Sequence, residues 1–504
     1  MKRVFGLETE YGITIQGASS VDVVAESIEL VRSYTEHGAH MKWDYRLEDP
    51  HRDARGFRAP TLLQDTDESA YYEIDRKRPL SFEEIKSDLV LSNGARFYND
   101  HAHPEYSTPE CTTLRQIVAH EKAGERIMAE CARRRNLRLT EGAEVRLFKN
   151  NTDFAGHSYG CHDNYLIRRD LPWDELVAGV LPFLITRQIF AGAGKIGIEA
   201  ESSGAQPGVY QISQRADFFQ TLVSIDTMNK RPLVNTRDEP HADPSRYRRF
   251  HVILGDSNMS EWATALKVGT TAAVLELIER GKAPQLEIAQ PVNATKSISR
   301  DQDYDWIIEL SDGRKISAID VQRLYLKAAE REHSGDSESA WLLREWENVL
   351  NDLERDVAST ADRVDWAAKK FLLSSFREEE NLAWSDPWLQ AIDLEYHNIQ
   401  SDQGLFYELQ RQGSMRTLIS EKEIKNAIFS PPETTRAWFR GRAVARFNHA
   451  ISSIQWDEIA FSDCRKARVV ALPEPAGDAR LEKLNELVNA ENEFADFFQQ
   501  IARI

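Results

Sequence analysis

The 504-residue chain is poor in cysteine, in basic excess and in long apolar runs, and each shortage excludes a class of protein. Its four cysteines (Cys111, Cys131, Cys161 and Cys464) are scattered, with no spacing of the zinc-binding kind, and read as reduced thiols. No apolar run is long enough to span a bilayer, and the N-terminus lacks the apolar stretch of a signal peptide, so a cytoplasmic protein without membrane contact is expected. A formal net charge of −18 argues against nucleic-acid binding. An acidic partner would have to dock on a local basic patch, for which Arg215, Arg231, Arg237 and the run Arg246–Arg249 are candidates. Internal repeats and low-complexity tracts are also missing. So is a G-x-S-x-G elbow, and Gly192-Ala193-Gly194-Lys195 lacks both the first glycine and the closing Ser/Thr of a P-loop, which leaves a turn at a helix end.

What is present begins at the N-terminus. In Val4-Phe5-Gly6-Leu7-Glu8-Thr9-Glu10-Tyr11-Gly12, strand periodicity turns Glu8 and Glu10 to one face. Two adjacent carboxylates are costly without a compensating cation, so the pair fits Mg²⁺ or arginine; an exposed strand with a polar face is the alternative.

The densest cluster is Asn93-Gly94-Ala95-Arg96-Phe97-Tyr98-Asn99-Asp100-His101-Ala102-His103-Pro104-Glu105-Tyr106. Arg96, Tyr98 and Asp100 share a strand face, and a turn at Pro104 is expected to return Glu105 beside them. Arginine suits phosphate, tyrosine and glutamate suit a hard cation, and aspartate can act as base or nucleophile. A polar strand end with Arg96 and Asp100 paired is the structural alternative. In a second cluster, Lys149-Asn150-Asn151-Thr152-Asp153 precedes a strand that sets His162 and Asn164 on one face, with His157 in the loop before it. A third runs from Asn235 through His241 to Arg248, Arg249 and His251, then Gly255-Asp256-Ser257-Asn258. It reads either as an anion-holding loop or as an internally salt-bridged one.

Helices are expected at about 21–36, 112–135, 173–190 and 260–280, and through most of 316–428. Strands are expected at 145–149, 158–167, 208–213 and 250–254. The segment from about 43 to 82 is irregular and rich in charge and proline. Pro431-Pro432 marks a break before a smaller unit with strands near 454–461 and 468–472 and a last helix built on Leu481, Leu484, Leu487 and Val488. Antiparallel strands among long helices make an α+β protein, divided at 1–430 and 431–504.

Together, Gly6-x-Glu8-x-Glu10-Tyr11-Gly12, Asn93-Gly94-Ala95-Arg96-x-Tyr98-x-Asp100, His103-Pro104-Glu105-Tyr106, Lys149-Asn150-Asn151, Asn235–Asp243 and Gly255–Asn258 resemble the Pup ligase and Pup deamidase/depupylase family, related to glutamine synthetase and the carboxylate–amine ligases. The resemblance runs from the first residues to about Trp456. It implies a glutamine-synthetase-like large domain whose curved, mainly antiparallel sheet cradles ATP and Mg²⁺, and a small C-terminal domain. Trp43-Asp44-Tyr45 and Arg52-Asp53-Ala54-Arg55-Gly56-Phe57 resemble the loop inserted in the deamidase/depupylase branch, and the spacing of Asp100 to His103 is similar to that branch.

The resemblance implies hydrolysis of the isopeptide bond between Pup, a small disordered modifier, and substrate lysines, and deamidation of the C-terminal glutamine of Pup, with ATP as bound cofactor. The implied partners are Pup and pupylated proteins, with the proteasomal ATPase as a further candidate. Asp100 would be catalytic. Glu8, Tyr98 and Glu105 would hold Mg²⁺, with Glu10 at a second metal position and His162 and His251 as the imidazole ligands. Arg96, Thr108 and Trp456 would contact the nucleotide. Asn99 departs from the family, which usually carries an apolar residue there, and a packing effect is expected. The alternatives are a ligase that uses ATP to form the same bond and a non-catalytic ATP-binding relative.

Overall fold

The computed structural model describes every residue except 1–2, 18–21, 35–38, 41–42, 64–76, 201–203, 228, 333–334, 464–465 and 491–492. Cys464 and the middle of the irregular segment therefore lie outside the described residues. The protein is α+β, and its main sheet has seven strands. Their spatial order is Tyr247–Val252, Cys161–Arg168, Phe5–Glu10, His103–Ser107, Arg96–Asp100, Leu89–Leu91 and Ala39–His40, and every neighbouring pair is antiparallel. Gly12–Gln16 pairs separately with Glu144–Phe148.

Alternation along the first strand divides the molecule. Phe5, Leu7 and Thr9 are buried while Gly6, Glu8 and Glu10 are partly open. The apolar side belongs to the largest core, shared with Leu114, Ile117 and Val118 of the helix Leu114–Asn136 and with Trp262 and Leu266 of the helix Glu261–Glu279. Burying this side leaves the other face of the sheet as a polar floor.

The chain leaves Arg96–Asp100 and returns as His103–Ser107 through His101 and Ala102, with His101 at φ +55°. The turn is thus earlier than the one expected at Pro104, which instead is the second residue of the returning strand, opposite Asn99. A proline is tolerated at the start of a strand, where its missing N–H interrupts little of the ladder. Gly192 ends the short helix Gln188–Ala191 and Lys195 opens the next strand, so that segment is a helix-end turn.

After Pro431-Pro432, the strands Ile451–Ile454, Glu458–Ser462 and Ala467–Ala471 form an antiparallel sheet. They pack with the helices Arg436–Phe447, Ala479–Asn489 and Phe494–Gln500 around a cluster that includes Leu481, Leu484, Leu487 and Val488. Trp43 and Val90 join this cluster from the far side. Arg436 and Arg440 tie the unit to the main sheet through Glu110, at 2.7 Å and 2.5 Å. Among the described residues, no helix is long and apolar enough to cross a membrane.

Candidate active site

Strand register assembles the site. Glu8 lies opposite His162 on one side and Ser107 on the other, Glu10 opposite Glu105, and Glu105 opposite Tyr98. His251 lies opposite Asn164, two residues from His162. The two-residue period then sends Glu8, Glu10, Tyr98, Asp100, Glu105, His162, Asn164 and His251 to the same face. Two groups of potential metal ligands result: Glu8 with His162 and His251, and Glu10 with Asp100 and Glu105, the donor atoms within each group lying within 4.8 Å of one another.

In the first group, Glu8 Oε2 is 3.3 Å from His162 Nδ1 and 3.4 Å from His251 Nε2. Its other oxygen accepts from Asn164 Nδ2 and Arg249 Nη1, both at 3.1 Å. Burial would raise the Glu8 carboxyl, but its contacts with His162 and His251 and the Arg249 charge hold it well below the ordinary range. His251 is pushed down to about 3 by burial and by Arg249, so its imidazole is neutral. His251 Nε2 is buried without a hydrogen-bond partner. An orphaned imidazole nitrogen aimed at a carboxylate is the donor arrangement that a cation would complete.

The second group carries only carboxylates, which suit a hard cation such as Mg²⁺, whereas the first mixes imidazole and carboxylate. Tyr98 Oη donates to Glu105 Oε1 at 2.8 Å, and Ser107 Oγ donates to the same oxygen at 3.1 Å. Burial and the charges of Asp100, Glu8 and Glu10 push the Glu105 carboxyl well above its ordinary value. Asp100 goes the other way. Burial raises it, yet Lys86, with Nζ 2.6 Å from Oδ1, and the neighbouring His101 hold it well below the usual range. Asp100 is therefore held ionised beside Glu105, whose carboxyl is pushed in the opposite direction.

Arg96 is not open to the cleft. Its guanidinium lies 4.0 Å from the Trp43 ring centroid and 3.9 Å from that of Tyr98, paired with Asp88 at 2.7 Å. Trp43 in turn meets Trp456 edge-to-face at 5.4 Å. Trp456, Thr108, Glu8, His241, Arg249 and Arg436 line a cleft between the sheet and the C-terminal unit. Thr108 Oγ1 accepts from the backbone of Leu7 at 3.0 Å, so it also fixes the strand that carries Glu8.

The described part of the inserted segment lies across these elements. Asp44 N–H donates to Ile454 O, while Ala54 N–H donates to Thr236 O and Thr236 Oγ1 to Asp53. Asp49 N–H donates to Glu239 at 2.8 Å. The Asn235–Glu239 loop thus acts as a mooring for this segment. Several of the arginines considered for an acidic partner are engaged within the protein, although Arg246 stays exposed. Arg215 is buried and donates to Ile253 O and Ser158 Oγ. Arg246 pairs with Glu474, Arg248 donates to Leu171 O and Arg249 contacts Glu8. Residue-by-residue reading missed Lys86 and the role of Arg249. Arg249 was legible, since it stands two residues from His251 on one strand; Lys86 reaches Asp100 from a one-turn helix with no periodic signal.

The chain is similar in sequence and in fold to known proteins. Residues 3–460 match the family model described as Pup-ligase protein. A depupylase of Acidothermus cellulolyticus is 44% identical over 473 residues, covering 92% of this chain and 91% of the relative. A Pup deamidase/depupylase of Mycobacterium tuberculosis is 41% identical with the same coverage. A Pup–protein ligase of Acidimicrobium ferrooxidans is 40% identical, over 79% of this chain and 89% of the ligase. Among solved structures, the complex between Pup and its ligase PafA aligns with a TM-score of 0.77 at 31% identity, covering 99% of this chain and 95% of that one. The ligase PafA in complex with ADP aligns at 0.74 and 34% identity, over 87% and 98%. With its motifs on one face of the same sheet architecture, the chain belongs to the Pup ligase and Pup deamidase/depupylase family.

Proposed function

We infer that this protein is a hydrolase of the Pup pathway, cleaving the isopeptide bond between Pup and substrate lysines and deamidating the C-terminal glutamine of Pup, with Mg–ATP as bound cofactor. The observation that carries this reading is the extent of similarity. Depupylases match 92% of the chain at up to 44% identity, whereas ligases of about 40% identity match 74–79%. Identity alone would not separate the branches; coverage by the sequence relatives favours the depupylases. The inserted segment moored to the Asn235–Glu239 loop supports the same side. The ligase remains the second reading, because the Pup–ligase complex aligns over 99% of the chain.

Glu8, His162 and His251 would hold one cation, and Glu10, Tyr98 and Glu105 the other, there offsetting carboxylate charge and polarising an oxygen ligand. The cleft beneath Trp456 is the proposed nucleotide seat, with Thr108 in its wall. Asp100 is the proposed catalytic residue, attacking the amide carbonyl or taking a proton from the water that does so. Its carboxylate is held ionised, partly buried and at the end of the strand Arg96–Asp100. Pup, pupylated proteins and the proteasomal ATPase are the proposed partners. Cys111, Cys131 and Cys161 are buried thiols, which suits a reducing, cytoplasmic setting.

Replacing the carboxylate tests the assignment. Asp100→Asn is expected to lower cleavage of a Pup-linked substrate by at least about 1,000-fold, while nucleotide affinity stays within about twofold. Retained turnover would overturn the role of Asp100.

A further inference from the structure

Lys86 ends the helix Phe82–Lys86, a single turn whose position is set at three points. Ser81 and Glu84 close its N-terminus as a reciprocal capping box. The ring of Phe82 meets that of Tyr45 at 4.8 Å. At the other end, Asn99 Nδ2 donates to Ile85 O at 3.0 Å. Asn99 is fully buried and immediately precedes Asp100. The residue that departs from the family therefore has a polar task, anchoring the turn that bears Lys86 to the strand that bears Asp100. Ser87, at φ +48°, then turns the chain away.

From this anchored turn, Lys86 Nζ reaches Asp100 Oδ1 at 2.6 Å, with the ammonium 5.7 Å from the Tyr98 ring centroid. The lysine side chain is 17% exposed, so the ammonium gives up much of its hydration for this contact. The direction of the charge matters more than its sign alone. Glu10 and Glu105 each bring a carboxylate oxygen within 4.8 Å of one of Asp100, and like charges so close disfavour each other. A mobile aspartate would rotate away from them; Lys86 bonded to Oδ1, with His101 Nδ1 3.3 Å from Oδ2, fixes the rotamer.

We propose that Lys86 is a positioning residue for Asp100, with Asn99 as the anchor of the turn that presents it. The proposal rests on the hydrolase reading above and deepens it. Its test is steady-state cleavage of a pupylated protein, with ATP and Mg²⁺, by the full chain and by Lys86→Met, Lys86→Arg and Asn99→Leu. Lys86→Met is expected to lower kcat roughly 100-fold with KM within about twofold. Lys86→Arg should recover at least about tenfold of that loss, and Asn99→Leu should fall in the same direction by a smaller factor. Thermal midpoint and nucleotide affinity of Lys86→Met should match the parent, which separates positioning from general damage. An unchanged or raised kcat in Lys86→Met, or a loss confined to KM, would overturn the proposal while leaving the hydrolase reading in place. A parent chain inactive on both Pup substrates would overturn the reading and the proposal with it.

Discussion

At the scale of single residues, opposite shifts of neighbouring carboxyls define the site. Glu8 and Asp100 are held ionised by specific cations and imidazoles, while Glu105 is pushed up by burial among like charges. Such a division separates groups that bind or attack from a group that waits for a cation. His251 is the sharpest instance. Its neutral, orphaned Nε2 faces Glu8, and with its ionisation held at about 3 it stays neutral from about pH 5 upward. Cation binding at this position should therefore gain no pH dependence from His251 between about pH 5 and 8. His251→Ala should weaken Mn²⁺ or Mg²⁺ binding in the presence of nucleotide by at least about tenfold, read by titration calorimetry. Unchanged affinity would remove His251 from the ligand set.

At the scale of elements, alternation was the most legible signal. Glu8 with Glu10, His162 with Asn164, and Arg96 with Tyr98 and Asp100 follow from a two-residue period, and antiparallel register needed only to bring the rows together. Helix positions were legible for the same reason: the apolar repeat of 112–135 became Leu114–Asn136. Turn placement was harder to read. Proline attracted the expected turn to residue 104, whereas the reversal uses His101 in the left-handed region and His103, directly before the proline, keeps the extended backbone that position favours. The enclosure of Arg96 by Trp43, Tyr98 and Asp88 was also illegible, because it joins three segments whose association depends on the completed sheet and on the C-terminal unit. Lys86 belongs in the same class.

At the scale of the whole molecule, the site is bounded by parts distant in sequence. The sheet supplies the floor, the C-terminal unit supplies Trp456, and the inserted segment spans both. Glu110 carries much of the junction between the sheet and the C-terminal unit. Burial alone would raise its carboxyl, but Arg440 and Arg436 outweigh burial and hold it at about 2. A depressed carboxylate stabilises fully above its unfolded value of about 4.5 and loses that contribution as pH falls toward about 2. The contribution is on the order of 3 kcal/mol. Glu110→Gln should lower stability near pH 7 and flatten the acid-induced loss between about pH 4.5 and 2, followed by urea unfolding across pH. An acid slope equal to the parent's would show that the junction is not held by this charge.

The central claim is that this scaffold cleaves the Pup bond, with nucleotide held as a cofactor. It is tested most directly by incubating the full chain with Mg–ATP and either Pup ending in glutamine or a pupylated protein, while ammonia, free substrate protein, conjugate and ADP are followed together. The account predicts ammonia from the first substrate and free protein from the second, with no matching loss of ATP. Conjugate formation with one ADP per bond would contradict it and make the protein a ligase.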